Sequence, residues 1–239
     1  DLEFATPKSS IFLRINLENG LMTAEDRVFA HLYRGVVADA LNETVYPAYL
    51  AGLRGQHSVS DSGYEVQVTG FNAKQLTLLE VILKNLMASP VEPDRFDVVK
   101  SNLVRNWLNS GKNYPYRQAI NAISEILISN RWPAKDLAKI AQNATAEQLT
   151  DWRNRKLNKV SVDALLHGNV NQKTKSDLET LLLGHLVINQ VEPKKVEVEE
   201  INESLLLELD IDHNDSSMVI YLQDKDEKIR SRAISTLAG

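Results

Sequence analysis

No cysteine occurs in the 239 residues, which excludes disulfides and thiolate metal ligands. It leaves the redox compartment open, because a cysteine-free protein suits either side of a membrane. The ten glycines are scattered and never form Gly-x-Gly-x-x-Gly or a Walker loop, so no phosphate cradle is legible. No apolar run approaches the roughly 18 to 20 residues that cross a bilayer, and the chain does not open on a basic n-region followed by an apolar h-region. No membrane span is expected. Basic clustering is missing too: the net charge is -5, the pI is near 5.6, and Lys and Arg are dispersed among Asp and Glu. Nucleic acid is therefore not an expected partner. There is no Gly-x-Ser-x-Gly elbow and no Ser-x-x-Lys with supporting motifs, which removes familiar nucleophilic hydrolases.

What is present suits a globular protein of one large or two small domains, with 43% hydrophobic and 25% charged residues. Ile11, Leu13, Ile15 and Leu17 alternate with Phe12, Arg14 and Asn16, the period of a half-buried strand. Thr23 with Asp26 reads as a capping-box variant opening an amphipathic helix that ends near Asn42. A short helical piece from Tyr46 to Leu53 leads into Gln56 to Ser60 and Tyr64 to Phe71, strand-like runs split by the turn Asp61-Ser62-Gly63, hence a β-hairpin. A helix capped by Asn72 stops before Ser89-Pro90. Another begins at Asp94 with Phe96, Val99, Leu103, Trp107 and Leu108 on one face, and further helices run over Arg117 to Ser129, Lys135 to Gln142 and Ala146 to Leu157. A strand over Ser161 to Gly168 and a helix over Ser176 to Leu186 follow. Val191 to Glu200, with alternating Lys and Glu, reads as a linker. Leu205 to Ile211 and Met218 to Leu222 then read as strands and Glu227 to Leu237 as a helix. The expected class is α+β: an antiparallel-rich sheet packed against a cluster of helices, followed by the beginning of a second similar unit. The domain division is 1–188, a linker at 189–202, and a truncated second unit at 203–239. The absence of Met at the start and the end inside a helix-like stretch suggest a piece of a longer chain.

Five histidines invite a search for zinc. Catalytic zinc needs three converging ligands, which helices supply with His at i and i+4 and a carboxylate beside them. His31 is the one histidine on a convincing helix, and it is followed by Arg34 and Gly35 where the partners would stand. His57, His167, His185 and His213 each lack a partner at ligand spacing. The run from Asp210 to Asp215 lacks the Gly and terminal Glu of an EF-hand and reads as a solvated turn. Glu80 and Glu125 are candidates for paired acid and base work, with surface solvation the simpler reading. Trp107, Trp132 and Trp152 read as core or interface anchors.

Several segments together supply more. Phe4-Ala5-Thr6-Pro7-Lys8 before a strand, Leu41 to Tyr46 with Ala51-Gly52-Leu53, Val68-Thr69-Gly70-Phe71-Asn72, Arg95-Phe96, and Leu165-Leu166-His167-Gly168-Asn169 resemble landmarks of the insulinase/pitrilysin family of zinc metallopeptidases, in order and spacing. The resemblance covers roughly residues 4 to 188 and implies the third of four homologous domains, with the start of the fourth. It implies a parent that is a zinc-dependent metalloendopeptidase, whose metal sits in another domain on an inverted H-x-x-E-H helix. This chain is expected to be an inactive, non-catalytic wall of the peptide-enclosing chamber. No catalytic or metal-ligating residue is assigned, and substrate contacts stay unknown. The implied partners are the catalytic half of the same polypeptide and peptide substrates, with zinc only in the parent's catalytic domain. The alternative is an inactive structural or core subunit of the same family. The protein is expected to be soluble; the compartment stays unknown, bacterial periplasm and cytoplasm both fitting.

Overall fold

The opening period-two run forms the strand around which everything else is arranged. In the computed structural model, which describes residues 6–18, 20–189 and 196–223, β1 (Lys8–Leu17) turns Ile11, Leu13, Ile15 and Leu17 inward, each at most 2% exposed. It lies between β3 (Gly63–Phe71) and β4 (Val160–Gly168), and β2 (Leu53–Val59) flanks β3, giving the order β2-β3-β1-β4 with every pair antiparallel. The register places Ile15 opposite Tyr64 and Val162, and Leu13 opposite Val66 and Ala164. Inward positions on neighbouring strands thus form continuous apolar rows.

Seven helices complete the described residues, and the expected α+β class is what the chain adopts. α1 (Ala24–Leu50) buries Val28, Phe29, Leu32, Tyr33, Val36, Val37 and Leu41. α2 (Gln75–Ala88) buries Leu78, Leu79, Ile82, Leu83 and Leu86. Both close over one face of the sheet; α3 (Pro93–Ser110), α5 (Ala134–Asn143) and α6 (Ala146–Lys156) pack on α1, and α7 (Gln172–His185) packs on α2. α4 (Pro115–Leu127) buries only Pro115 and Leu127.

Close approach needs glycine at two places. A Cβ on Gly35 would stand 2.4 Å from Val99 Cγ1, so α3 lies against α1 only because that side chain is absent. Gly70 has φ 120°, and a Cβ there would meet the Gly52 carbonyl at 2.1 Å.

Several boundaries differ from expectation. α1 runs unbroken through Asn42 to Leu50, because Val45 and Ala48 keep packing on the core and Pro47 costs only one hydrogen bond near the last turn. Asn72 opens a single 3-10 turn over Asn72–Lys74, and α2 starts at Gln75. The buried Gln75 side chain accepts from Ser9 Oγ at 2.6 Å and donates to the Gly70 carbonyl at 3.0 Å, which locks α2 to β1 and β3. On α3 only Phe96 is buried, and Leu108 is 50% exposed. The runs expected as strands at 205–211 and 218–222 form no ladder, and Leu206 is 99% exposed. Alternation marks competence for a strand, but a strand needs a neighbour to satisfy its backbone. Part of the expected linker does pair: Val198 bridges Ile128, and Glu199 N donates to the Leu127 carbonyl at 2.8 Å. The helix expected at 227–237 lies outside the described residues.

Candidate functional site

α1 carries the helix position that resembles a metal motif, and its start is held by a buried cluster. Thr23 caps the helix through Asp26 N (3.1 Å), and Asp26 answers the Thr23 N–H (3.3 Å). The same carboxylate accepts from Trp152 Nε1 at 2.9 Å and Lys156 Nζ at 3.0 Å, tying α6 to α1. Burial pushes its pKa up, but the Trp152 and Lys156 hydrogen bonds outweigh this and hold it below the usual carboxylate range. One residue on, buried Arg27 pairs with Asp61 at 2.7 Å and stacks over Trp132, while Arg131 reaches the same Asp61 oxygen at 3.2 Å.

His31 then meets Trp107 edge-on, ring centroids 5.6 Å apart. Burial first, and the charges of Arg27 and Arg34 second, push its pKa down to about 4. The two positions that would complete a ligand set are committed elsewhere. Arg34 Nε donates to the His57 carbonyl at 3.5 Å, and the space beyond Gly35 is filled by Val99. These residues do not fit a zinc site, because a side chain at 35 able to reach the ion would collide with α3. Among the described residues no three His, Asp or Glu stand together as a potential metal group.

The remaining candidates are dispersed. His57, on β2, contacts the Arg34 carbonyl through Nε2 at 3.2 Å, and burial lowers its pKa. His167 is exposed on β4. His185 lies 3.6 Å from Glu80, whose carboxylate is held low by Lys84 at 2.8 Å. Glu125 is pushed up by partial burial and faces Lys135 and Asp136, so the two glutamates serve different neighbours. In the Asp210 to Asp215 run, His213 Nδ1 accepts from Asp215 N at 2.9 Å, a local turn contact. The tryptophans are anchors as expected, Trp152 being only 1% exposed.

What the helices leave open is the other face of the sheet. In register, one row across it reads Gln56, Gln67, Phe12, Leu165, and the next reads Ser58, Glu65, Arg14, Asp163. Phe12 is 38% and Leu165 61% exposed, and Arg14 pairs with Glu65 at 3.2 Å. A further row reads Arg54, Thr69, Ser10, His167. This surface is polar and charged, with an apolar step at Phe12 and Leu165 and a second aromatic at Phe71, 44% exposed beneath the Lys8 ammonium. Period-two reading sets Phe12 and Arg14 on the outward face of β1, but it does not reveal that the described residues leave this face open, or that Arg34 reaches across to β2.

No described helix is long and apolar enough to cross a membrane. The family description "Middle or third domain of peptidase_M16" matches residues 1–140. The chain is 30% identical to insulin-degrading enzyme-like 2 of Arabidopsis thaliana over 72% of its own length and 18% of that protein. To human insulin-degrading enzyme it is 28% identical, over 60% of this chain and 14% of the relative. The crystal structure of pitrilysin superposes with TM-score 0.66 at 17% identity, covering 76% of this chain and 20% of that one, and shows the shared fold. The chain spans about a fifth of the length of the first of these relatives.

Proposed function

Because the chain belongs to the peptidase M16 family, as its middle or third domain, we propose that it is a non-catalytic wall of the chamber in which a larger zinc metalloendopeptidase encloses peptides. The observation that carries this reading is the uncovered sheet face, whose rows of Gln, Arg, Asp and Glu around Phe12 and Leu165 suit contact with varied peptide side chains. Residues 1–188 are the domain itself, 189–202 a connection and 203–239 the opening of the next domain. The partners are then the metal-bearing half of the same polypeptide and the enclosed peptide. Zinc belongs to that other half; within this chain the positions after His31 are filled by Arg34 and by Val99 packed on Gly35.

A wall selects by volume and surface chemistry, and it helps exclude water when the halves close. The test combines metal analysis with complementation. The purified chain alone is expected to hold substoichiometric zinc and to cleave no peptide. Mixed with the metal-bearing half of its parent, it should restore cleavage, and Phe12→Asp should raise KM more than it lowers kcat while zinc content stays constant. Tight stoichiometric zinc together with peptidase activity in the chain alone would overturn the reading.

A further inference from the structure

The sheet has two edges, and they are finished differently. Hydrogen-bonded pairs alternate along an antiparallel ladder, and Ser60 N donates to the Gly63 carbonyl, so on β2 the backbones of Leu53, Gly55, His57 and Val59 point away from β3. Arg34 Nε donates to the outward carbonyl of His57, and the His57 imidazole meets the Arg34 carbonyl, so a side chain of α1 lies on the middle of this edge. Such a cap is one way proteins protect an edge.

On β4 the alternation leaves Val160, Val162, Ala164 and Leu166 pointing away from β1. Val160 is taken: its N–H donates to Val187 O at 3.0 Å and its carbonyl accepts from Asn189 N at 2.8 Å, the first rung of a parallel ladder with Ile188. The N–H and C=O groups of Val162, Ala164 and Leu166 have no partner among the described residues. No proline, lysine or glycine interrupts Val162 to Leu166; Asp163 and Leu165 flank the edge on the open side, and Val162 and Leu166 on the helix side. This edge already accepts an extended segment at its first rung, and from Val162 to Leu166 it carries neither proline nor lysine against a longer one.

We propose that the edge of β4 at Val162, Ala164 and Leu166 binds an extended peptide as an added strand. The added backbone pairs with three successive outward residues. Its side chains fall alternately beside Leu165 and beside Val162 and Leu166, which calls for apolar residues, with a basic residue favoured next to the exposed Asp163. The proposal rests on the reading that peptides reach this domain, but its test needs no assembled chamber.

The probe is a fluorescein-labelled hexapeptide, Thr-Val-Lys-Val-Thr-Val-amide, titrated into the whole chain and followed by anisotropy. Saturable one-to-one binding is expected. N-methylation of the alternate amides on one edge of the probe should abolish it, and methylation of the other set should not. Ala164→Pro removes one outward N–H while Asp163 and Leu165 keep their bonds to β1, so it should weaken binding about tenfold or more with an unchanged circular dichroism spectrum. The N-methyl series remains decisive if that variant does not fold. Absence of binding, or binding indifferent to which amides are methylated, overturns the proposal. So does a concentration-dependent dimer in sedimentation that Ala164→Pro dissolves and the probe does not, which would assign the edge to a second copy. Probe binding without restored cleavage in the complementation test refutes only the chamber reading; restored cleavage without probe binding refutes only the added strand.

Discussion

Single side chains carry the strongest electrostatic consequences. His31 in the folded chain holds a pKa of about 4 against an ordinary value of 6.5. Between these values the unfolded chain binds the proton and the folded one does not, so stability falls as pH falls through this window and is regained above it. At 1.36 kcal/mol per unit, the loss is at most about 3 kcal/mol. Burial lowers His57 in the same direction, so His31→Phe should remove part of the slope and leave the rest. Urea unfolding of both proteins at neutral and mildly acid pH measures this, and identical slopes would disprove it. Asp26 behaves oppositely: its pKa is held low, so its contribution is present above about pH 4 and disappears only in stronger acid. Removing it by Asp26→Ala strips Trp152 Nε1 and Lys156 Nζ of their shared acceptor inside the α1–α6 contact. A loss of about 3 kcal/mol is expected in the urea midpoint, and a change under about 1 kcal/mol would show the cluster to be incidental. Gly35→His, which restores a histidine at helical spacing from His31, drives a side chain into Val99. It should cost about 2 kcal/mol or more and gain no zinc, which unfolding and metal analysis read together.

At the scale of elements, the edges of the sheet should differ in exchange behaviour. Amides of Ser161, Asp163, Leu165 and His167 bond to β1, whereas those of Val162, Ala164 and Leu166 face outward. Hydrogen exchange should therefore alternate residue by residue along β4, the outward set exchanging far faster. Uniform protection would mean that a further strand covers the edge. On α1, the expected stop near Asn42 coincides with the weak helix formers Asn42 and Thr44. Tertiary packing of Val45 and Ala48 overrides that local preference. On α3 the apolar residues after Phe96 are only partly buried: Gly35 lets α3 approach α1 at Val99, while Leu108 near its end is 50% exposed.

For the whole molecule, the apolar core draws on β1 to α7 and Leu186, and none of the described residues 196–223 belongs to it. Residues 196–223 attach through the Val198–Ile128 bridge, where Ser129 N donates to the Glu197 carbonyl and Glu199 N to the Leu127 carbonyl, and through the Tyr114 ring beside His213. The Gln223 side chain joins the Ile201 N–H to the Glu199 carbonyl within the segment itself. Ending the chain at Asn189 should therefore shift the urea midpoint by no more than about 1 kcal/mol, a prediction that a much larger loss would refute. Leu206 and Met218 are 99% and 81% exposed, so neither contributes to the core of the domain.

Periodicity and turn chemistry determined most of the element order from β1 to α7, the inward face of β1, the capping box at Thr23 and the hairpin at Asp61 to Gly63, because each depends on residues within a few positions of one another. The same local rules made His31 unpromising as a ligand, since its neighbours along the helix are Arg34 and Gly35. Only the tertiary structure decided which sheet face stays open, that Arg34 caps the edge at His57, that Val99 fills the space beyond Gly35, and that the alternating runs near Leu205 and Met218 find no strand to pair with. These are contacts between residues far apart in the chain, set by shape and by which backbone groups remain unpaired, and no spacing in the sequence encodes them.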